Sequence, residues 1–349
     1  MAYINFDPQD YFNTVLYTGD GSGSARTITG VGFQPDWLWN KSRSNAYNHY
    51  IFDVLRGTNM IGSNASTGEE DKSPQFSAFT SDGFTITNDA GSLAINASSV
   101  TFANWCWKAN GAGVSNTDGD ITSTVSASTT SGFSIVTYTG NGTAGATVGH
   151  GLGATPKMML IKQLNSSNLW RVYHSSLGAT NVIYLNSTGA TDTGEGSVNF
   201  NNTAPSSSVF TLGSNVAVNG LGNTFVAYVF AEKKGFSKFG SYTGNGNADG
   251  TFIYTGFKPA FVIIKNSSST GAWYMQDNKR DVDNPIDLSL NASDSNADNN
   301  QGNIMDFLSN GIKIRNTGTG YNSSGATYIY MAFAEQPLIN SLGNPATAR

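Results

Sequence analysis

Short apolar runs separated by Gly, Asn, Ser and Thr follow one another along the whole chain. "TFVAYVFAE" (224–232) and "TYIYMAFAE" (327–335) are β-branched and aromatic, which is strand chemistry. "SDGFTITND" (81–89), "VFTLGSN" (209–215) and "LSNGIKIRN" (308–316) alternate apolar and polar positions behind turn residues. Gly-Asn and Asp-Gly pairs supply the positive backbone dihedrals that hairpin turns require. The best helical pattern is "NIMDFLSNG" (303–311), which would put Ile304, Phe307 and Leu308 on one face with Gly311 as C-cap. The pattern predicts an all-β protein of antiparallel sandwiches, jelly-roll-like in topology.

The runs repeat in threes. A Tyr-Thr-Gly triplet recurs at Tyr17, Tyr138 and Tyr242, spaced 121 and 104 residues apart. Pro35, Pro156 and Pro259 open strands that end at Lys41, Lys162 and Lys265. An aromatic strand follows each: "YNHYIFD", "LWRVYH" and "AWYMQD". The units close on Trp107, Phe230 and Phe333, spaced 123 and 103. Independent anchors holding one register mark a triplicated domain.

Three tandem sandwich domains are therefore expected at 1–113, 121–233 and 235–340, each packed independently. Residues 109–131 hold 17 Gly, Asn, Asp, Ser or Thr among 23, and read as a linker or a strand-poor crossover. The second joint, "AEKKGFSKFG" (231–240), is short and should couple units two and three stiffly. The arm at 1–11 has no counterpart before the other units and is expected either to dock on a neighbouring protein or to pad its own domain.

Composition narrows the function. Of 349 residues only 12% are charged, against about 25% for an ordinary soluble domain. The net charge of −5 disfavours a nucleic-acid groove, which needs clustered Lys and Arg. No run of eighteen apolar residues is present to insert in a membrane. The opening "MAYINFDPQDYF" lacks the basic start and apolar stretch of a signal peptide, so synthesis and use without general secretion are expected.

The unit "YTGNG…GFKPAFVIIKN…TYIYMAFAE", the opening "MAYINFDPQDYFNTVLYTG" and the closing "NPATAR" resemble a repeated β-domain of virion structural proteins from tailed phages of marine bacteria. The resemblance covers essentially the whole chain. It implies a virion protein made in the host cytoplasm, a tail fibre or fibre-like component attaching to host surface glycans. The alternative it leaves open is a capsid or tail decoration protein without host contact. It also implies partnership with other virion proteins and homo-oligomers, trimers above all.

Reactive constellations are sparse. Cys106 stands alone in "FANWCWKA" and reads as a buried small hydrophobe. His49 and His174 fall at related places near the aromatic strand, His150 in a Gly-rich turn, and the third unit has no histidine. Surface or edge histidines are expected, not a catalytic base, and no enzyme activity is expected. The acidic stretch 277–300, with Asp281, Asp283, Asp294 and Asp298, lacks the alternation of a calcium loop and reads as a solvated loop without metal. "GDGSGSARTITG" (19–30) is a hairpin turn and not a phosphate loop. The Asn-x-Ser/Thr triplets at Asn64, Asn96, Asn165, Asn266 and Asn322 are ascribed to composition. No cofactor is called for. What remains for binding is the set of Ser/Asn tips beside aromatics (41–50, 163–173 and 266–276), with Tyr47, Trp170 and Trp273 as candidate sugar-stacking anchors; the alternative for both tryptophans is a place in the core of their strand.

Overall fold

The computed structural model describes residues 4–87 and 95–337. It is nearly all β, and each repeat builds the same four-stranded antiparallel ladder. The opening strands are Phe12–Thr18, Phe133–Thr139 and Ser237–Thr243; each pairs with its unit's closing strand, Thr101–Trp107, Thr224–Phe230 or Thr327–Pro337. The closing strand then pairs with a lysine-bearing strand, Trp37–Ser42, Met158–Gln163 or Phe257–Asn266. The lysine strand pairs in turn with the aromatic strand, Tyr50–Asp53, Arg171–His174 or Trp273–Asp277. Register is preserved between copies: Phe12 faces Trp107, Phe133 faces Phe230 and Ser237 faces Phe333.

The Tyr-Thr-Gly anchor has a steric cause. A Cβ on Gly19, Gly140 or Gly244 would fall 2.1, 2.5 or 2.3 Å from a backbone carbonyl oxygen, of Ala97, Gly220 or Ser323 respectively. Only glycine admits that approach. The tyrosine before it donates its hydroxyl to a carbonyl across the turn: Tyr17 to Ile95, Tyr138 to Val218 and Tyr242 to Tyr321.

Because side chains alternate across a strand, each ladder has two faces. One face packs on its own unit's outer strands, forming three separate cores around Leu38, Phe52 and Cys106; Met159, Ile161 and Phe210; and Val262, Ile264 and Ile312. The other faces of all three ladders meet in a single cluster. Trp37, Trp39, Trp105 and Trp107 of the first unit lie there against Phe133, Tyr228 and Phe230 of the second and Phe261, Met331 and Phe333 of the third. Trp37 alone stacks or tilts against Trp39, Trp107, Phe133, Tyr228 and Phe230, with centroids 4.4–5.9 Å apart. Strands such as Trp37–Ser42 and Met158–Gln163 are buried on both faces, hence their continuous apolar reading.

Independent packing of the units is therefore replaced by a shared core. Residues 109–131 also differ from the expected linker. Val114–Asn116 and Ser123–Ser128 are strands added to the edge of the second ladder, so the polar composition belongs to a half-exposed sheet. The helical pattern at 303–311 gives way to the strand Asn299–Leu308, which turns through Ser309 and Asn310 into Gly311–Ile314. Ile304 and Phe307 are both buried there because pairing with the next strand outweighs local helical spacing. Two short helices, Gly196–Phe200 and Val216–Asn219, occur in the second unit.

The amino-terminal arm packs on its own chain. Ile4 is buried in the shared core, and Phe6 lies edge-on to Tyr11 and Phe236 at 5.0 and 5.4 Å. Residues 1–3 of that arm lie outside the described residues.

Candidate functional site

Around the shared core, three sets of equivalent polar groups cross the junctions between units. The lysines form the first set. Alternation from Trp37 and Trp39 turns Lys41 toward the centre, and the same holds for Lys162 and Lys265; all three are fully buried. Each Nζ donates to the carbonyl of the following residue (Ser42, Gln163 or Asn266) at 2.8–2.9 Å. Each also reaches a neighbouring unit: Lys41 to Ser295 O at 3.1 Å, Lys162 to Ser66 O at 2.9 Å and Lys265 to Thr188 O at 3.1 Å. First binds third, second binds first and third binds second, so the ring closes. Burial pulls each ammonium down to about 8, and the carbonyls offset part of its desolvation.

The second set answers for two predicted anchors. Trp170 and Trp273 are buried, with 0% and 2% exposure, so neither is available to stack on a sugar. Trp170 donates its indole N–H to Gly62 O and Trp273 to Tyr184 O, both at 2.9 Å and both across a junction. Their counterpart in the first unit is His49, four residues before Asp53 as Trp170 is before His174 and Trp273 before Asp277. Trp39 can only donate to His49 Nδ1 (2.8 Å), which leaves the proton on Nε2 to reach Asn291 O at 2.9 Å. Tyr47 is half-buried, its hydroxyl accepting from Asn45 Nδ2. It belongs to a tip and not to this set.

Asp53, His174 and Asp277 make the third set, each facing a neighbouring closing strand. Asp53 accepts from Tyr228 (2.7 Å) and from Arg56 (2.7 Å). Asp277 accepts from the Trp105 indole (3.0 Å) and from Arg280 (2.6 Å). Met331 stands where Tyr228 and Trp105 stand and offers no proton, so a carboxylate in the second unit would find no donor. His174 occupies that place and donates to Tyr330 O at 3.2 Å. Leu177 replaces the arginine that a carboxylate would need. Burial lowers His49 well below the ordinary imidazole range and His174 to about 4. All three histidines are thus interior residues, His150 included, and not the expected surface ones.

The acidic stretch is likewise committed. Asp298 bridges Arg43 (2.8 Å) and Arg280 (2.6 Å), linking units one and three. Asp281 accepts the N–H groups of Asp287 and Leu288 at 2.6 Å. Among the described residues no three His, Cys, Asp or Glu groups converge as metal ligands. Cys106 lies in the first unit's own core, where burial pushes its thiol up.

Two features escaped the sequence reading. Asn96, Asn219 and Asn322 are wholly buried clamps on the Gly-rich turns, accepting from the N–H of Asp20, Asn141 and Asn245 at 2.9–3.2 Å. Their spacing of 123 and 103 matches the closing aromatics; Asn96 and Asn322 lie in triplets ascribed to composition, and Asn219 lies in none. The other is an open cleft of about 420 Å³ between units one and two, lined by Arg56, Glu69, Thr124, Thr137 and Thr224 among others.

What faces solvent next to the lysine ring is the three tips. Ser44, Ala46 and Asn48, then Asn165, Ser166 and Ser167, then Ser268, Ser269 and Thr270 are exposed. Each tip follows an equivalent lysine strand, so the three surround the same end of the ring.

The chain belongs to a family described as a domain of unknown function, DUF7483, whose match runs over residues 7–337. No curated protein and no solved structure matches it.

Proposed function

We propose that this protein is a structural component of a phage particle, a fibre-like part that holds host surface glycans. The observation that carries the reading is the closed ring: three copies of one unit locked by buried lysines and presenting three polar tips at one end. Buried polar groups at the junctions hold neighbouring units in register, which suits a part selected for shape and number. The three sandwich layers act as one rigid block in this reading. Trp170 and Trp273 drop out as anchors, so contact falls to surface groups.

The ring also bears on assembly. The resemblance implies trimers, and sandwiches of low charge leave edges and apolar faces that association would cover; here one chain covers one such face of each of its own three units. Any oligomer on the particle then forms through outer surfaces. That self-sufficiency favours, as a second reading, a decoration protein seated without host contact. An averaged map of the virion separates the two: density at the tail periphery, with purified protein adhering to host cells, supports attachment. Density at capsid junctions and no adherence supports decoration.

A further inference from the structure

The third unit carries a surface that its two sisters lack. Its short outer strand Phe252–Tyr254 pairs with Gly311–Ile314, and Ile253 points inward with 4% exposure. Phe252 and Tyr254 point outward with 44% and 55% exposure. They are the only aromatic residues among the large hydrophobics exposed in the described chain.

The repeat supplies its own control. Ile253 faces Ile312 as Ile28 faces Phe84 and Val148 faces Phe210. The positions flanking the inward residue are therefore Thr27 and Thr29 in the first unit, and Thr147 and Gly149 in the second. Two copies fold with threonine or glycine there, so the sandwich does not require rings.

The local backbone also accommodates the rings. Gly311 lies opposite Tyr254, and a Cβ on it would fall 3.0 Å from the Phe252 ring and 2.2 Å from Ile253 O. Without that side chain the Phe252 ring lies close over the backbone of the neighbouring strand. On a strand, residues two apart on one face are separated by about 6.6 Å, so the two rings lie side by side as one aromatic strip. Charged groups stand alongside: Lys313, opposite Phe252, binds Asp249 at 2.7 Å, and Arg315 binds Asp306 at 2.6 Å. The Asp249 carboxylate is 85% exposed.

We propose that Phe252 and Tyr254 form a stacking platform for two successive sugar rings of a polysaccharide, with Asp249, Lys313 and Arg315 meeting its hydroxyls. The faces of the two aromatic rings carry negative partial charge and pack against sugar C–H groups. Size disfavours a second copy of the chain as the occupant. Phe and Tyr side chains bury about 150–250 Å² each, so two half-exposed rings offer roughly 200 Å². A specific protein interface needs about 800 Å² per partner. This inference deepens the attachment reading and rests on it.

The test is affinity electrophoresis of the full chain in gels containing galactomannan, β-glucan, dextran or alginate, beside Phe252→Thr/Tyr254→Thr. That double variant installs the first unit's residues, and an unchanged melting temperature certifies its fold. The expected result is retardation of the parent in at least one gel and a tenfold or greater loss of affinity in the variant. Equal retardation of the two overturns the platform and leaves attachment standing. Retardation of the parent in no gel also overturns it, while adherence to whole host cells continues to test attachment separately. Sedimentation showing that the parent self-associates and the variant does not would assign the rings to a second copy instead.

Discussion

The shared centre and the outer layers of the three units are built from the same repeat yet have diverged in different ways. At the centre, changes are compensated across junctions. Where the third unit's closing strand offers Met331, the second unit offers His174 instead of a carboxylate and Leu177 instead of an arginine. On the outside, Thr27, Thr147 and Phe252 occupy one position and answer to local neighbours: Thr27 meets Thr85 at 3.1 Å, Thr147 meets Asp120 at 2.8 Å, and Phe252 faces Lys313. A buried polar group must find its complement or lose stability, whereas an exposed one answers only to whatever it meets. Central variation therefore reports architecture, and outer variation reports use.

The largest break is expected at the centre. Trp37→Ala removes a ring shared by the first two units and should cost about 3–5 kcal/mol, read as a lower midpoint in chemical denaturation. Because the core is common, unfolding should remain a single transition, and limited proteolysis should release no stable two-unit fragment. Stepwise loss of one unit would restore the picture of independent sandwiches.

Acid probes the same junctions. His49 and His174 are neutral in the fold with lowered pKa values, so the unfolded chain binds more protons below the ordinary imidazole value of about 6.5. Stability should be level above that pH and fall as pH drops from about 6.5 toward 4. The slope for His174 alone is about 1.4 kcal/mol per pH unit, or up to about 3 kcal/mol. His174→Gln, which keeps a donor, should flatten the slope in pH-dependent melts.

The lysine ring should matter less. Lys265→Met strands the carbonyls of Thr188, Asn266 and Gly271 while relieving the desolvation of an ammonium. A net loss of about 2 kcal/mol is expected. Raising pH from about 8 to about 10.5 should stabilise the parent, since the unfolded lysines then hold protons that the folded ones have released. Met at 265 should shrink that gain. The smallest effect belongs outside: Tyr254→Thr should change the unfolding free energy by less than about 0.5 kcal/mol in chemical denaturation.

Much of the fold was legible in the chain and much of the site was not. Strand chemistry, the register of the three copies and the all-β class follow from local pattern, because apolar runs between turn residues report burial directly. Ring closure does not, since Lys41 and Ser295 are partners only in space, and no periodicity links them. The sequence leaves Trp170 and Trp273 open between ligand contact and core for a related reason: a tryptophan beside a Ser/Asn tip looks the same whether it points out to a ligand or in to a neighbouring unit. His49 is their true counterpart, disguised because an imidazole and an indole can both supply one ring N–H. Residues 109–131 were misread because edge strands with one wet face share the composition of a linker.

Covalent continuity gives the ring a property that three separate chains could not have. A homotrimer repeats every substitution three times and comes apart on dilution. Here the units are tethered, so closure is independent of concentration, and each copy is free to carry a mark of its own. The aromatic pair on Phe252–Tyr254 is such a mark: one per ring, at one of three otherwise equivalent stations. The molecule thus has a front, and any array built from it inherits an orientation and a fixed count of contact points.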